Sequence, residues 1–237
     1  MSRVGDDEGG REILAALDAA GIDLRGVDVV AGAVTADYVA VLTPNGDLAL
    51  GLAAMDIFDG LTPVVLASHA ELLSGADWVF ADCNLPAETL LALAQRRGAG
   101  TYRLAVDAVS VAKTDRLPSR LDGIDLLFLN RDEAAAVARR HGRAGATSED
   151  VAALLVGVGA AGVVLTLGAA GALAASAVGI VHVPGSPARI VDVTGAGDAL
   201  IAAVIHAQAG GTDLADAVAL GCAAAARAVE TPRSTPG

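Results

Sequence analysis

The chain has 237 residues and a formal net charge of -12, a length that suits one large α/β domain or two small ones. We predict one domain over 4–230 and a disordered tail over 231–237. An acidic chain without clustered Lys and Arg excludes a general nucleic-acid binder, because phosphate contacts need such clusters. Its two cysteines, Cys83 and Cys222, lie far apart and outside any CxxC pattern, which indicates neither a disulfide framework nor a zinc site. Without a signal-peptide pattern, we expect a cytoplasmic protein that binds small molecules.

Apolar strand-like runs alternate with longer helical runs, the pattern of an α/β fold with a mostly parallel sheet flanked by helices. The predicted helices are 9–20, 63–74, 86–97, 131–141, 148–157, 196–209 and 213–229. The predicted strands are 77–82, 102–107, 125–129, 162–167, 172–177 and 180–183. Two further apolar runs flank Asn45-Gly46, a hairpin signal, so we predict a small antiparallel hairpin over 33–54 as a candidate lid.

The stretch from Val151 to Val181 carries no charge and exceeds the ~20 residues that a membrane helix needs. It is rich in Ala and Gly and has no flanking belt of Lys or Arg. Strands buried on both faces of a parallel sheet also read as continuous apolar runs. We therefore predict a helix, a turn, a buried strand, a turn and a strand here, with no membrane contact.

Several common motifs fail on their context. Gly157, Gly159 and Gly162 satisfy GxGxxG, but the dinucleotide fingerprint needs a strand before the glycines and a helix after them. The order here is the reverse, which favours a tight helix-to-strand connection. Lys113 is the only lysine and lies outside any GxxxxGK[ST], so a Walker P-loop is excluded. No GxSxG elbow and no HExxH spacing supports a hydrolase or zinc enzyme.

The stretch "DVTGAGDAL" places two carboxylates around a glycine turn that precedes a predicted helix. Consecutive amides of Gly195, Ala196 and Gly197 at that helix start would favour a bound anion such as a phosphoryl group. Asp198 would then accept a proton from an attacking hydroxyl. Alternatively, Asp198 only complements the helix N-terminus and the glycines only form the turn. The residues themselves do not decide between these two interpretations.

The same stretch resembles D-[TV]-T-G-A-G-D, the C-terminal signature of the PfkB, or ribokinase-like, family of sugar and nucleoside kinases. Asn130 and Glu133 in "NRDE" match the family's N-x-x-E, and Thr166, Gly168 and Gly171 in "TLGAAG" are similar to its T-x-G-x-x-G. Taken singly, "NRDE" is typical of a helix start and "TLGAAG" of a strand followed by a turn. "VGDDEGG" near the start and "GCAAAARAV" near the end resemble two more family motifs, and all occur in the family's order.

The resemblance implies a ribokinase-like fold, transfer of the ATP γ-phosphoryl group to a sugar or nucleoside hydroxyl, and Mg²⁺ as a cofactor. The resemblance is also compatible with a monovalent cation as a further cofactor. Asp198 would be the base, and residues 195–197 would form the anion hole. The implied nucleotide-site residues are Thr166, Gly168, Gly171, Asn130, Asp192 and Thr194, and the implied magnesium residues are Asn130 and Glu133. Because lids can mediate dimers in this family, a homodimer is also expected.

Three segments, "YVAVLTPNGDLALGLAAMDIFDGLTP", "DCNLPAETL" and "VDAVSVAKTDRL", resemble the subgroup of this family that phosphorylates pseudouridine at its 5′ hydroxyl. This predicts pseudouridine as the acceptor. Two alternatives stay open: a kinase of the same family for another sugar or nucleoside, and a nucleotide-binding fragment without activity.

The resemblance weakens at the start of the chain. Family members carry a further segment before V-G-D-D, which supplies a first core strand, lid strands and a GGxxxN helix. Neither Gly9-Gly10 nor Gly210-Gly211 is followed by Asn at the matching place. We therefore expect a sheet without that strand and helix, and with an exposed edge that favours association or instability. A misassigned start codon, a truncation that survives through a partner and a decaying gene all explain this equally well.

Overall fold

The structure is a computed structural model that describes residues 1–42, 48–98 and 102–231. Its ten strands are β1 (Ser2–Gly5), β2 (Val27–Val30), β3 (Asp37–Leu42), β4 (Leu48–Ala54), β5 (Trp78–Asp82), β6 (Arg103–Asp107), β7 (Leu126–Asn130), β8 (Gly162–Thr166), β9 (Ala172–Ser176) and β10 (Gly179–Val183). Its eight α-helices are α1 (Glu8–Ala19), α2 (Pro63–Ser68), α3 (Ala70–Ser74), α4 (Ala87–Gly98), α5 (Arg131–Arg140), α6 (Ser148–Gly157), α7 (Ala196–Ala209) and α8 (Leu214–Val229).

The main sheet has six strands in the order β10-β9-β8-β7-β6-β5. Strands β5 to β8 run parallel, whereas β9 and β10 are antiparallel to their neighbours. Parallel strands need crossover connections. Helix α4 connects β5 to β6, a 3₁₀ helix over Val111–Arg116 lies between β6 and β7, and α5 and α6 connect β7 to β8. The predicted α/β fold with a mostly parallel sheet is therefore confirmed.

A separate hydrophobic cluster packs on each face of this sheet, because alternate residues of a strand point to opposite faces. In β7, Leu127 and Leu129 belong to the larger cluster, which also includes buried residues of α4, α5 and α6. Phe128, at most 2% exposed, belongs to the other cluster together with Val204 of α7 and Val218 of α8. Helices thus cover both faces, as continuous apolar strands require.

Two small sheets lie outside the main one. Strands β1 and β2 form a parallel pair that the sequence did not predict, whereas β3 and β4 form the predicted antiparallel hairpin. The turn at Asn45-Gly46 and residues 232–237 of the predicted tail fall outside the described residues. The predicted helix over 63–74 is two helices, because the chain leaves helical geometry at His69, with φ -106° and ψ 23°.

The uncharged stretch from Val151 to Val181 folds as predicted into α6, β8, β9 and β10. Among the described residues, no helix has the length and apolarity needed to cross a membrane. The GxGxxG match is the predicted helix-to-strand connection between α6 and β8. Gly159 in it has φ 122°, and a Cβ there would lie 2.6 Å from the Asp122 amide nitrogen, so this position requires glycine.

The "VGDDEGG" segment connects the start of α1 to the loop between β2 and β3, which leads into the hairpin. Asp7 caps α1 by accepting a hydrogen bond from the Gly10 amide, and it also accepts from the Thr35 amide and hydroxyl. These bonds lower the pKa of Asp7 to about 2. The Gly5 amide in turn donates to the Thr35 hydroxyl at 2.8 Å. This motif therefore fixes the base of the hairpin relative to β1.

Candidate active site

The polar residues singled out in the sequence meet at the carboxyl edge of the main sheet. Asn130, which ends β7, lies in register with Thr166, which ends β8. On the other side, Asp82 at the end of β5 lies in register with Asp107 at the end of β6. Ligands of open α/β sheets bind outside this edge, which makes it the candidate active site.

The turn before α7 presents free backbone amides. Gly195 is the N-cap of α7 with a left-handed φ of 76°, a conformation that favours glycine. Among the hydrogen bonds of the described residues, the Gly195 and Gly197 amides have no protein acceptor, while the Ala196 amide donates to the Val193 carbonyl at 3.3 Å. In the described part of the chain, no side chain caps this helix start. Two open amides and the positive end of the helix dipole suit an anion.

Two flanking residues shape this turn. The Asp192 carboxylate accepts a hydrogen bond from the Thr194 amide at 2.8 Å, so Asp192 orders the turn. The Val191 and Asp192 amides donate to the Val229 carbonyl, which anchors the turn to the end of α8.

Asp198 is exposed in the first turn of α7 and lines a groove of about 730 Å³ together with Phe80. Its negative charge is one of the causes that raise the pKa of Asp107, which places it close to the carboxyl edge. An exposed carboxylate that lines a groove, beside open amides, can accept a proton from a bound hydroxyl.

Asn130 and Glu133 form a reciprocal capping box at the start of α5. The Asn130 side chain accepts from the Asp132 and Glu133 amides at 2.9 and 3.0 Å. Both Glu133 carboxylate oxygens accept from Asn130, from its backbone amide at 2.8 Å and its side-chain amide at 2.7 Å. Burial raises the pKa of Glu133, which is 3% exposed. The N-x-x-E motif is therefore the start of helix α5, and its Glu133 is buried next to the carboxyl edge of the sheet.

Asp107 is the most perturbed acid of this edge. Burial, with added repulsion from Glu133, Asp82 and Asp198, raises its pKa to about 7, although a hydrogen bond from the Val109 amide opposes this. Val109 has φ 65°, and among the described residues it is the one non-glycine residue with positive φ. A β-branched residue in this conformation is strained, and such strain concentrates at functional sites.

These acids fit a hydrated magnesium ion. Oxygen donors suit Mg²⁺, and a cation among four acids would relieve the repulsion that raises the pKa of Asp107. Within the described ranges, however, no three acidic, His or Cys side chains are grouped closely enough to ligate one ion together. Mg²⁺ keeps several of its waters and binds largely through substrate phosphates, so contact through water fits this donor set.

Thr166, Gly168 and Gly171 build the turn from β8 to β9. Gly168 has φ 65° and Gly171 has φ 94°. A Cβ on Gly171 would lie 2.0 Å from the Val183 carbonyl oxygen, whereas a Cβ on Gly168 would meet nothing within 4 Å. Gly171 thus lets two backbone segments approach, and Gly168 leaves open space beside Thr166 at the carboxyl edge.

This difference gives a matched pair of substitutions. We expect Gly168→Ala to cost about 1–2 kcal/mol of unfolding free energy, the cost of a left-handed alanine. Gly171→Ala should cost more than about 3 kcal/mol, because the backbone must also move. Urea unfolding of both variants measures the two values. Equal losses would contradict the packing described for Gly171.

Asp82 and Asp107 were not among the site residues predicted from the sequence. The signal was present, because each is the last residue of a predicted strand, 77–82 and 102–107, and the ends of parallel strands share one edge. The predicted residues do lie at this edge or in the turn before α7.

Acids at the carboxyl edge of an α/β sheet and open amides at a helix start suit a ligand that carries phosphate. The sequence profile described as pfkB family carbohydrate kinase matches residues 1–236. Pseudouridine kinase of Escherichia coli is 29% identical over 236 residues, which are 97% of this chain and 74% of that protein.

Similarity to solved structures shows that the fold is ribokinase-like. A carbohydrate kinase from Agrobacterium tumefaciens superimposes with a TM-score of 0.79 at 33% identity, covering 99% of this chain and 74% of that one. Arabidopsis thaliana ribokinase, complexed with ribose and ATP, superimposes with a TM-score of 0.81 at 23% identity, covering 98% and 75%. The chain belongs to the pfkB family of carbohydrate kinases.

Proposed function

We propose that this protein transfers the γ-phosphoryl group of ATP to the 5′ hydroxyl of pseudouridine. The observation that carries the proposal is the position of Asp198, which is exposed, lines a groove and directly follows a turn with open amides. The family membership and the E. coli relative support the reaction class and the acceptor.

In the proposed reaction, the Gly195 and Gly197 amides hold the phosphoryl group in transit by hydrogen bonds to its oxygens. The acceptor oxygen forms a bond to the γ-phosphorus, the bond to the β-phosphate oxygen breaks, and ADP leaves. The hydroxyl proton passes to the Asp198 carboxylate.

Thr166, Gly168 and Gly171 would line the nucleotide site, with Asn130, Asp192 and Thr194 beside it. Their place at or next to the carboxyl edge supports this assignment. Bound Mg²⁺ would neutralise charge on the transferred phosphates, and Asn130 and Glu133, joined by Asp107, would hold its waters. Glu133 is itself fixed by Asn130, so its carboxylate keeps one orientation.

Support for pseudouridine also comes from where two segments meet. "DCNLPAETL" and "VDAVSVAKTDRL", which resemble the pseudouridine subgroup, lie side by side at the carboxyl edge. Lys113 Nζ donates to the Asn84 side-chain oxygen, and Arg116 donates to the Asn84 carbonyl oxygen at 2.5 Å. Asn84 in turn donates to Asp82. The subgroup's segments thus form one polar network that ends at an acid of the candidate site.

The hairpin of β3 and β4 is proposed as a lid and as the contact of a homodimer. It exposes apolar side chains, among them Tyr38 at 51%, Leu50 at 52% and Leu52 at 55%. Such exposure is typical of a surface that contacts a partner.

We also propose a cytoplasmic location, which the buried free thiols of Cys83 and Cys222 support.

A substrate panel tests the acceptor. ADP formation from ATP and Mg²⁺ is measured with pseudouridine, uridine, ribose or fructose. We expect pseudouridine to give the highest kcat/KM, with a 5′-phosphate product. A higher value for another acceptor would contradict the substrate but keep the reaction class. Binding of ATP in calorimetry without acceptor-dependent ADP release would contradict activity and indicate a nucleotide-binding fragment.

A further inference from the structure

Arg116 joins the three segments that resemble the pseudouridine subgroup. It belongs to "VDAVSVAKTDRL", and its guanidinium donates at 3.0 Å to the carboxylate of Asp59, which lies near the end of the first segment, in "MDIFDGLTP". Another nitrogen of the same guanidinium donates to the carbonyl oxygen of Asn84 in "DCNLPAETL" at 2.5 Å. A guanidinium is planar and carries its donors in a fixed fork, so it can hold two acceptors in one relative position. Arg116 therefore fixes the three segments relative to one another.

Asp59 lies in the lid base, by which we mean residues 56–61, which follow β4. The end of the lid base is fixed at Leu61, because the buried Thr89 hydroxyl of α4 donates to the Leu61 carbonyl at 2.7 Å. In the described ranges, by contrast, the Asp59 carboxylate has Arg116 as its one partner. Arg116 is thus the side chain that connects Asp59 of the lid base to the carboxyl edge of the main sheet.

Helix α5 holds the backbone that carries Arg116. This backbone is a 3₁₀ helix over Val111–Arg116. Arg140, at the end of α5, donates to the Thr114 carbonyl and, at 3.0 Å, to the Leu117 carbonyl. Thr114 is also buried. Because α5 begins at the candidate active site, Arg116 extends from a backbone that is fixed relative to that site.

Arg116 also completes the hydrogen bonding of Asn84. The backbone and side-chain amides of Asn84 each donate to the Asp82 carboxylate at 2.8 Å, and its side-chain oxygen accepts from Lys113. With the bond from Arg116 to its carbonyl, every polar group of Asn84 has a partner, so the residue keeps one orientation. Lys113 has three N–H donors and uses one of them on Asn84 in the described part of the chain, so the others can bind a polar group of the acceptor.

We propose that Arg116 is a positioning residue for the acceptor, because it holds the lid base, Asn84 and Lys113 in one arrangement at the carboxyl edge. The inference rests on the proposed function, since it needs an acceptor bound under the lid. Within the described residues, no hydrogen bond or ion pair of Arg116 reaches the turn before α7 or residues 166–171. Loss of Arg116 should therefore weaken acceptor binding and leave nucleotide binding unchanged.

Steady-state kinetics of Arg116→Gln and Asp59→Asn test this inference. The KM is measured for pseudouridine, or for the acceptor that the substrate panel ranks first. Arg116→Gln should raise it at least about tenfold, because a charge-assisted hydrogen bond weakens and an ion pair is lost. Asp59→Asn removes the ion pair alone and should raise it about two- to fivefold. Asp59 is exposed, so this second variant should fold even if Arg116→Gln does not. The KM for ATP should stay unchanged in both variants.

Arg120→Gln is the matched control. Arg120 also pairs with an aspartate, Asp122 at 2.7 Å, but both side chains are exposed and lie outside this network. We expect wild-type KM values for this variant. Hydrogen exchange without any ligand gives a second measurement, because the Leu61 amide donates to the Phe58 carbonyl within the lid base at 2.9 Å. This amide should exchange faster in Arg116→Gln than in Arg120→Gln.

An unchanged acceptor KM in Arg116→Gln, or an equal rise in the KM for ATP, would overturn the positioning role. So would equal exchange of the Leu61 amide in Arg116→Gln and Arg120→Gln. If the wild type forms no acceptor-dependent ADP, the proposed function fails and the positioning role fails with it. Wild-type turnover with unchanged KM values in Arg116→Gln would overturn the positioning role alone.

Discussion

Asp198→Asn is expected to lower acceptor-dependent ADP formation by about 10²- to 10⁴-fold, the contribution typical of a positioned base. The amide is nearly isosteric but cannot take the hydroxyl proton. Asp198 is exposed and caps nothing, so the fold and the Gly195–Gly197 turn should be unaffected. The affinity for ADP, measured by calorimetry, should therefore change little.

Asp216→Asn provides the control for Asp198→Asn. Asp216 is an exposed acid in the first turn of α8, so its loss changes the helix-end charge in the same way but away from the site. We expect near-normal rates for this variant. Equal rates of ADP formation in the wild type and Asp198→Asn would contradict the role of Asp198 as the base. An equal loss of rate in Asp198→Asn and Asp216→Asn would indicate that Asp198 only stabilises its helix.

Asp107→Asn is expected to stabilise the fold at alkaline pH. The pKa of Asp107 is raised from 3.8 to about 7 in the folded chain. Below both values the group has no effect; as pH rises to 7 the unfolded chain loses the proton first, and stability falls. Above 7 the full cost applies, at most about 4 kcal/mol. The variant removes this cost, so it should be more stable at pH 8 and closer to wild type at pH 5.

Urea unfolding at the two pH values checks this prediction. From pH 8 to pH 5, the unfolding free energy of the wild type should rise by about 2 kcal/mol more than that of the variant. Asp216→Asn, which removes an exposed acid in the first turn of α8, is the control and should keep the wild-type pH dependence. An unchanged pH dependence in Asp107→Asn would contradict its buried, repelled state. A gain in stability with a loss of activity would mark Asp107 as a site residue kept at a cost.

Strands and helices that form long apolar runs bounded by glycine or proline could be predicted from the sequence, whereas short or interrupted elements could not. The strands over 162–167 and 172–177 are continuous apolar segments next to glycines, and both were confirmed. Strand β1 has four residues, two of them Ser and Arg, and owes its conformation to pairing with β2 and to Thr35. The break between α2 and α3 at His69 was likewise not predicted, because no Gly or Pro stands there.

The site was predictable where one motif contains its whole geometry. Gly195 and Asp198 are neighbours in sequence, so the turn and its acid could be placed together. The acids of β5 and β6 come from separate strands, and only the parallel register brings Asp82 beside Asp107. The strained φ of Val109 and the raised pKa of Asp107 are consequences of tertiary packing that no local pattern records.

The most direct test of the proposed phosphoryl site is amide exchange in the turn before α7 with ADP, aluminium fluoride, Mg²⁺ and pseudouridine, a mixture that mimics the phosphoryl group in transit. We expect slower exchange of the Gly195 and Gly197 amides, which have no protein acceptor in the described part of the chain, together with protection around 166–171. Unchanged exchange in the turn, with protection at another part of the chain, would contradict the assignment of this turn to phosphoryl transfer.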